Sequence, residues 1–260
     1  MPKKAQQKTE TKKKSTNSVP KVLKVKDEDP NDKFSEIHPN LPQMPSLTLI
    51  IGSVRSGKSN LLVNFFCNPD FYKDKFDVVK FVSTTLHTDN KGKILSKHFD
   101  CMDHYDDNII ENIKKSQGKY ESKEDRQTYA LCMDDVLTKD FSRTNHVSFF
   151  STRFRHYIDF YIIAVQSFRA VSGMIRNNAT DIIICKQQNQ KELMKIAEEY
   201  GDMVGGQDNF LKLYDEAHKD RYSFLYLKLS ENPAEAYIRF ERKIYPTRDT
   251  DDAEELEIDD

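Results

Sequence analysis

The sequence predicts an α/β fold, with a mainly parallel central sheet, flanking helices and an antiparallel hairpin near the C-terminus. Three observations carry that expectation. Short β-rich apolar runs alternate with segments whose apolar residues recur at three-and-four spacing, the pattern of βαβ units. The first five runs lack polar–apolar alternation, as strands covered on both faces do. Between the last two runs stand Glu231, Asn232 and Pro233, turn residues that join neighbouring strands head to tail.

In chain order, strands are expected at Leu47–Ile51, Val78–Ser83, Tyr129–Met133, Phe160–Val165, Asp181–Cys185, Tyr222–Leu229 and Ala236–Phe240. The helical spacing falls on Lys58–Phe66, Asn108–Lys115, His146–Phe154, Ala170–Arg176, Gln190–Tyr200 and Asp208–Lys219. One domain over 34–248 accommodates all of them, and 260 residues are ample for a sizeable core. The flanks differ in composition. A basic arm, 1–33, carries nine Lys against Glu10 up to Lys26, and an acidic tail, 249–260, holds eight acids and no base. Both are too polar to offset ordering entropy and are expected to be disordered. Lys12, Lys13 and Lys14 could attract nucleic acid or act as an import signal, or simply solubilise the chain.

The longest apolar run, Phe160–Val165, is six residues, far short of the roughly 20 that a membrane helix needs. No apolar segment follows the basic arm as in a secretory signal, so folding in the cytosol is expected. Cys67, Cys101, Cys132 and Cys185 are widely spaced and are expected to stay reduced.

The most informative segment follows the first strand. Gly52, Ser53, Val54, Arg55, Ser56, Gly57, Lys58 and Ser59 form a complete phosphate-binding loop that runs directly into a helix. Glycine permits backbone angles that turn successive amides toward a phosphate at the helix N-terminus. Lys58 would reach the β and γ phosphates, and Ser59 would place its hydroxyl on Mg²⁺. Such a loop requires a carboxylate at the end of a neighbouring strand. The run Tyr129–Met133 delivers Asp134 and Asp135 there, the first on the metal side and the second to polarise an attacking water. The strand ending at Val165 carries Gln166 to the same edge, where its amide can address both phosphate oxygen and water. Arg153, Arg155 and His156 precede that strand and belong near the opposite edge. An arginine there is placed to serve a neighbouring subunit's nucleotide or, more simply, to solvate a helix end.

Other signals are weaker. His98, Cys101 and His104 have ligand-like spacing but no second cluster; a surface helix or loop is the simpler account. Asn90-Lys91-Gly92-Lys93 lacks the Asp of a guanine-specific motif.

Gly52–Ser59, Asp134-Asp135, Arg155-His156, Gln166 and Ile175-Arg176-Asn177, in this order, resemble the genome-packaging ATPases of poxviruses and giant DNA viruses, within the FtsK/HerA superfamily of P-loop motors. The resemblance spans roughly Pro45 to Lys186. It implies a RecA-like core, ATP and Mg²⁺ as cofactors, and a homo-oligomeric ring that drives double-stranded DNA into a capsid in the host cytoplasm. It also implies a capsid or portal-site partner. Carried over by position, Lys58, Asp135, Gln166 and Arg155 are catalytic, with Arg153 competing for the trans-acting role, and Ser59 and Asp134 hold the metal. Arg176 falls in a motif of unassigned role. Asp135 stands where the wider superfamily commonly has Glu, a departure closer to the viral branch. Duplex contacts would be salt-sensitive phosphate contacts, for which Lys91, Lys93, Arg169 and Lys186 are available.

Two other readings compete. A small-molecule kinase needs an Arg-rich lid between the phosphate loop and the acidic strand, but residues 60–128 contain only Arg126. A nucleotide-binding scaffold without hydrolysis would not need paired Asp residues and Gln166.

Overall fold

The computed structural model describes residues 32–86, 90–136 and 145–246. The basic arm up to residue 31 and the whole acidic tail lie outside the described residues. The fold is α/β. Nine strands form one sheet in the order β3-β2-β4-β5-β1-β6-β7-β8-β9. They are β1 (Ser46–Ile51), β2 (Val78–Ser83), β3 (Asp100–Met102), β4 (Tyr129–Asp134), β5 (Phe160–Val165), β6 (Asp181–Cys185), β7 (Phe224–Lys228), β8 (Glu235–Ile238) and β9 (Arg242–Tyr245). β3 through β6 in that spatial order run parallel, and β7, β8 and β9 continue antiparallel from β6.

Successive side chains on a strand point to opposite faces, so an all-apolar strand needs cover on both. Leu49 and Ile51 of β1 enter one core with Leu131, Met133, Ile163 and Ile184; Ile50 enters the other with Cys132, Ile162 and Ile183. The first face is covered by α3 (Asn108–Gln117), α4 (Asn145–Ser151), α5 (Gly173–Asn177), α6 (Gln190–Tyr200) and α7 (Gln207–Ala217). The second is covered by α1 (Lys58–Cys67), α2 (Asn90–His98) and the segment bearing Phe34, Ile37 and Leu41. Around α1 the cover is largely aromatic. Phe65 and Phe66 meet Phe160 edge-on or tilted at 5.7 and 6.1 Å between centroids, and Tyr72 meets Phe160 at 5.0 Å. The helix that opens at the phosphate loop is thereby fixed to the sheet.

Several expectations are corrected. The C-terminal hairpin is extended by a third antiparallel strand, β9, which the sequence reading did not include. α4 stops at Ser151 rather than Phe154. There Ser151 Oγ and Thr152 Oγ1 donate to the carbonyls of Ser148 and Phe149, a local alternative that competes with helix propagation. A short 3-10 turn, Phe154–His156, follows. The expected helix from Ala170 is broken by Ser172, which caps α5 by accepting from the Ile175 amide.

Candidate nucleotide site

The site is assembled at one edge of the sheet by parallel register. Ile51 of β1 stands level with Val165 of β5, Asp134 of β4 with Ala164, and Ser83 of β2 with Asp134. The acidic strand is therefore not next to β1, as expected from the sequence; β5 lies between them. That insertion puts Gln166 between the phosphate loop and the acid pair.

The loop is tied down where it leaves β1, to the ends of both flanking strands. The Gly52 amide donates to the Val165 carbonyl at 3.1 Å and the Ser53 amide to that of Lys186 at 3.2 Å. Gly52 has no room for a side chain, since a Cβ there would lie 2.4 Å from Ser56 Oγ and 2.6 Å from Cys185 Cβ. Gly57 adopts φ 108°, a region that glycine alone enters freely, and starts α1 without a side-chain cap. The first turn of α1 is thus left without a side-chain acceptor at the loop, and an anion is favoured at such a helix start. The buried Lys58 folds back over the loop, its Nζ donating to Gly52 O at 2.7 Å and to Ser53 O at 3.4 Å. Burial pushes the neighbouring Cys185 thiol up to about 12, so it stays neutral beneath the loop.

Asp134 is buried, and its Oδ2 accepts from Ser83 Oγ at 3.2 Å. Ser59, Ser83, Thr85 and Asp134 line one small cavity. These donors are hydroxyl and carboxylate oxygens, the hard ligands that Mg²⁺ takes, and the set fits that ion. Asp135, with φ 53°, donates its amide to Ala164 O, and its Oδ2 accepts from Gln166 Nε2 at 2.9 Å. The two residues singled out for hydrolysis therefore touch. From α6, the buried Glu192 reaches the segment just beyond. Its Oε2 accepts from the Phe168 amide at 2.8 Å and from Ser167 Oγ at 3.2 Å. Gln188 N donates to Ser53 Oγ at 2.9 Å, joining the loop after β6 to the phosphate loop.

Arg155 is not brought to this edge. It lies exposed in the turn before β5, and six residues at about 3.3 Å each put it about 20 Å from Gln166. Arg153, beside it, stacks on Phe149 with its guanidinium 4.8 Å from the ring centroid. Arg176 is held by Glu199 at 2.7 Å and lies over the Phe168 ring at 4.7 Å, a clamp between α5 and α6. His98 ends α2, Cys101 lies on β3 and His104 follows it. Among the described residues no group of three or more His, Cys, Asp or Glu side chains could hold a metal. Of the four basic residues considered for DNA, Arg169 pairs with Glu192 at 3.4 Å and Lys186 lies 5.9 Å over the Tyr214 ring. No helix of the described residues is long and apolar enough to cross a membrane.

Sequence reasoning passed over Ser83, Thr85 and Glu192. Ser83 was within reach, because it ends an apolar strand at the edge where Asp134 ends the next. Glu192 gave no signal, standing 26 residues after Gln166 in an ordinary amphipathic helix.

A phosphate loop at the end of β1, the acid pair one strand beyond the next and the antiparallel extension together make this the fold of the P-loop packaging ATPases. The crystal structure of B204, the DNA-packaging ATPase from Sulfolobus turreted icosahedral virus, matches with a TM-score of 0.52 at 19% identity, covering 75% of this chain and 97% of that one. B204 from Sulfolobus turreted icosahedral virus 2 in complex with ATP-γS matches at a TM-score of 0.45 and 17% identity, covering 75% and 96%. An uncharacterised protein, 088R of invertebrate iridescent virus 3, is 25% identical over 187 residues, 70% of this chain and 69% of its own length. No family model matches the chain.

Proposed function

We propose that this protein is an ATP-hydrolysing DNA translocase that packages viral double-stranded DNA into a capsid, working as a homo-oligomeric ring. The observation that carries the reading is the convergence of Lys58, Ser59, Asp134, Asp135 and Gln166 on one sheet edge, with Asp135 and Gln166 in hydrogen-bond contact. The fold shared with B204 supports it.

Each role follows from chemistry. The amides of Ser53 to Ser59 cradle the phosphates. Lys58 exchanges its two carbonyl partners for phosphate oxygens when a nucleotide arrives. Ser59 and Asp134 would hold Mg²⁺, which supplies charge neutralisation on the β and γ phosphates when bound. Asp135 orients and deprotonates the attacking water, and Gln166 senses the γ-phosphate while holding Asp135 in place. Arg155, exposed and far from its own chain's loop, serves the site of the adjacent subunit. Hydrolysis then depends on assembly, and the charged tails and a capsid or portal-site partner act outside this core, in the host cytoplasm.

The test is ATP-dependent displacement of a third strand from a duplex DNA track. The wild type should displace it, and Asp135→Asn should bind ATP but leave the triplex intact. Displacement by Asp135→Asn at the wild-type rate would overturn the proposal.

A further inference from the structure

A cavity of about 690 Å³ opens on the α1 face beside the phosphate loop, within the range of about 300–1,000 Å³ typical of small-molecule pockets. Gly57 and Asn60 form its loop end, and Asn40, Tyr222, Arg239 and Phe240 contribute to its walls. Tyr222 is the unusual member. It is 59% exposed and it flanks the loop: a Cβ on Gly57 would lie 3.8 Å from Tyr222 Cδ1. Arg221 backs the ring, its guanidinium 4.7 Å from the centroid and its Nη2 donating to Tyr222 Oη at 2.8 Å.

The backbone gives an independent sign. Five non-glycine residues among those described have positive φ: Arg55, Asp74, Asp135, Tyr222 and Arg239. Arg55 and Asp135 belong to the candidate phosphate site, and Tyr222 and Arg239 to this cavity. Left-handed backbone is unfavourable for Tyr and Arg, and it persists where the surroundings fix a side chain for a task.

Resting on the ATPase reading above, we infer that this cavity is the nucleoside subsite of the same site, and that Tyr222 is the platform on which the base stacks. A flat π-face braced by a guanidinium is the surface that bases choose irrespective of sequence. A triphosphate gripped at Gly57 leaves its nucleoside only a short reach from that ring.

Calorimetric titration of the full chain with ADP and with inorganic tripolyphosphate tests this. Tyr222→Ala should weaken ADP by about tenfold, the scale of one lost base–aromatic stack, and leave tripolyphosphate affinity unchanged. Tyr222→Asn, which removes the ring but suits a left-handed backbone, should behave the same, and Tyr222→Phe should retain ADP affinity. Unchanged ADP affinity in the Ala and Asn variants would overturn the subsite alone. An equal loss of tripolyphosphate would also overturn it, because the ring would then merely support the loop. Failure of the wild type to bind either ligand would overturn the ATPase reading as well.

Discussion

Lys58 carries a buried charge whose hydrogen bonds go to two backbone carbonyls of its own loop, so the charge stays satisfied in the absence of phosphate. Asp181 poses the opposite problem at the far end of the sheet. It is fully buried, with Tyr226 Oη donating at 2.6 Å, Ser46 Oγ at 2.8 Å and Thr180 Oγ1 at 2.7 Å. Burial nonetheless raises its pKa above the ordinary 3.8, outweighing those hydrogen bonds and the charge of Lys228. A raised carboxyl favours the neutral form in the fold. Its contribution to stability is therefore complete below about 3.8 and is lost as pH climbs through the raised value. Asp181→Asn cannot ionise. Urea unfolding across that window should show the wild type losing stability relative to the variant as pH rises; a constant difference would contradict the assignment.

At the scale of elements, the phosphate loop is only as rigid as α1, and α1 is anchored by aromatic rings rather than by caps. Phe65 touches Phe71, Tyr72, Phe160 and Phe240 and is fully buried. Phe65→Ala should destabilise the domain by about 3–5 kcal/mol in equilibrium denaturation, the usual cost of a large buried ring. A loss below about 1 kcal/mol would show that the cluster collapses around the gap.

The elements visible in the sequence were those whose residues must be buried. β2, β5, β6 and α6 have their expected ends because apolar runs or helical spacing and clear breakers define them. β3 and β9 were not legible. Asp100–Met102 is three residues with no apolar run, and Arg242–Tyr245 is a charged edge strand, polar for the reason that edges are. α2 was missed because Asn90–His98 has a glycine and two large apolar residues, Ile94 and Leu95. The phosphate loop and acid pair were legible as motifs of fixed spacing. That β5 separates them, that Gln166 meets Asp135 and that Tyr222 flanks Gly57 arise from strand order and a left-handed turn, which no local pattern encodes.

On the scale of the whole molecule, the two edges of the sheet divide the proposed chemistry. One edge holds the loop, the acids and Gln166. The other presents Arg155, exposed and making no ion pair among the described residues. A chain alone cannot join them, so ring formation would complete the site and let a bound duplex govern turnover through subunit contacts. Steady-state ATP hydrolysis with and without double-stranded DNA tests this claim most directly. Hydrolysis should rise on adding duplex, fall as salt screens the phosphate contacts, and be abolished in Lys58→Ala and in Arg155→Ala, the latter with ATP binding retained. Hydrolysis indifferent to DNA, or undiminished in Lys58→Ala, would contradict it.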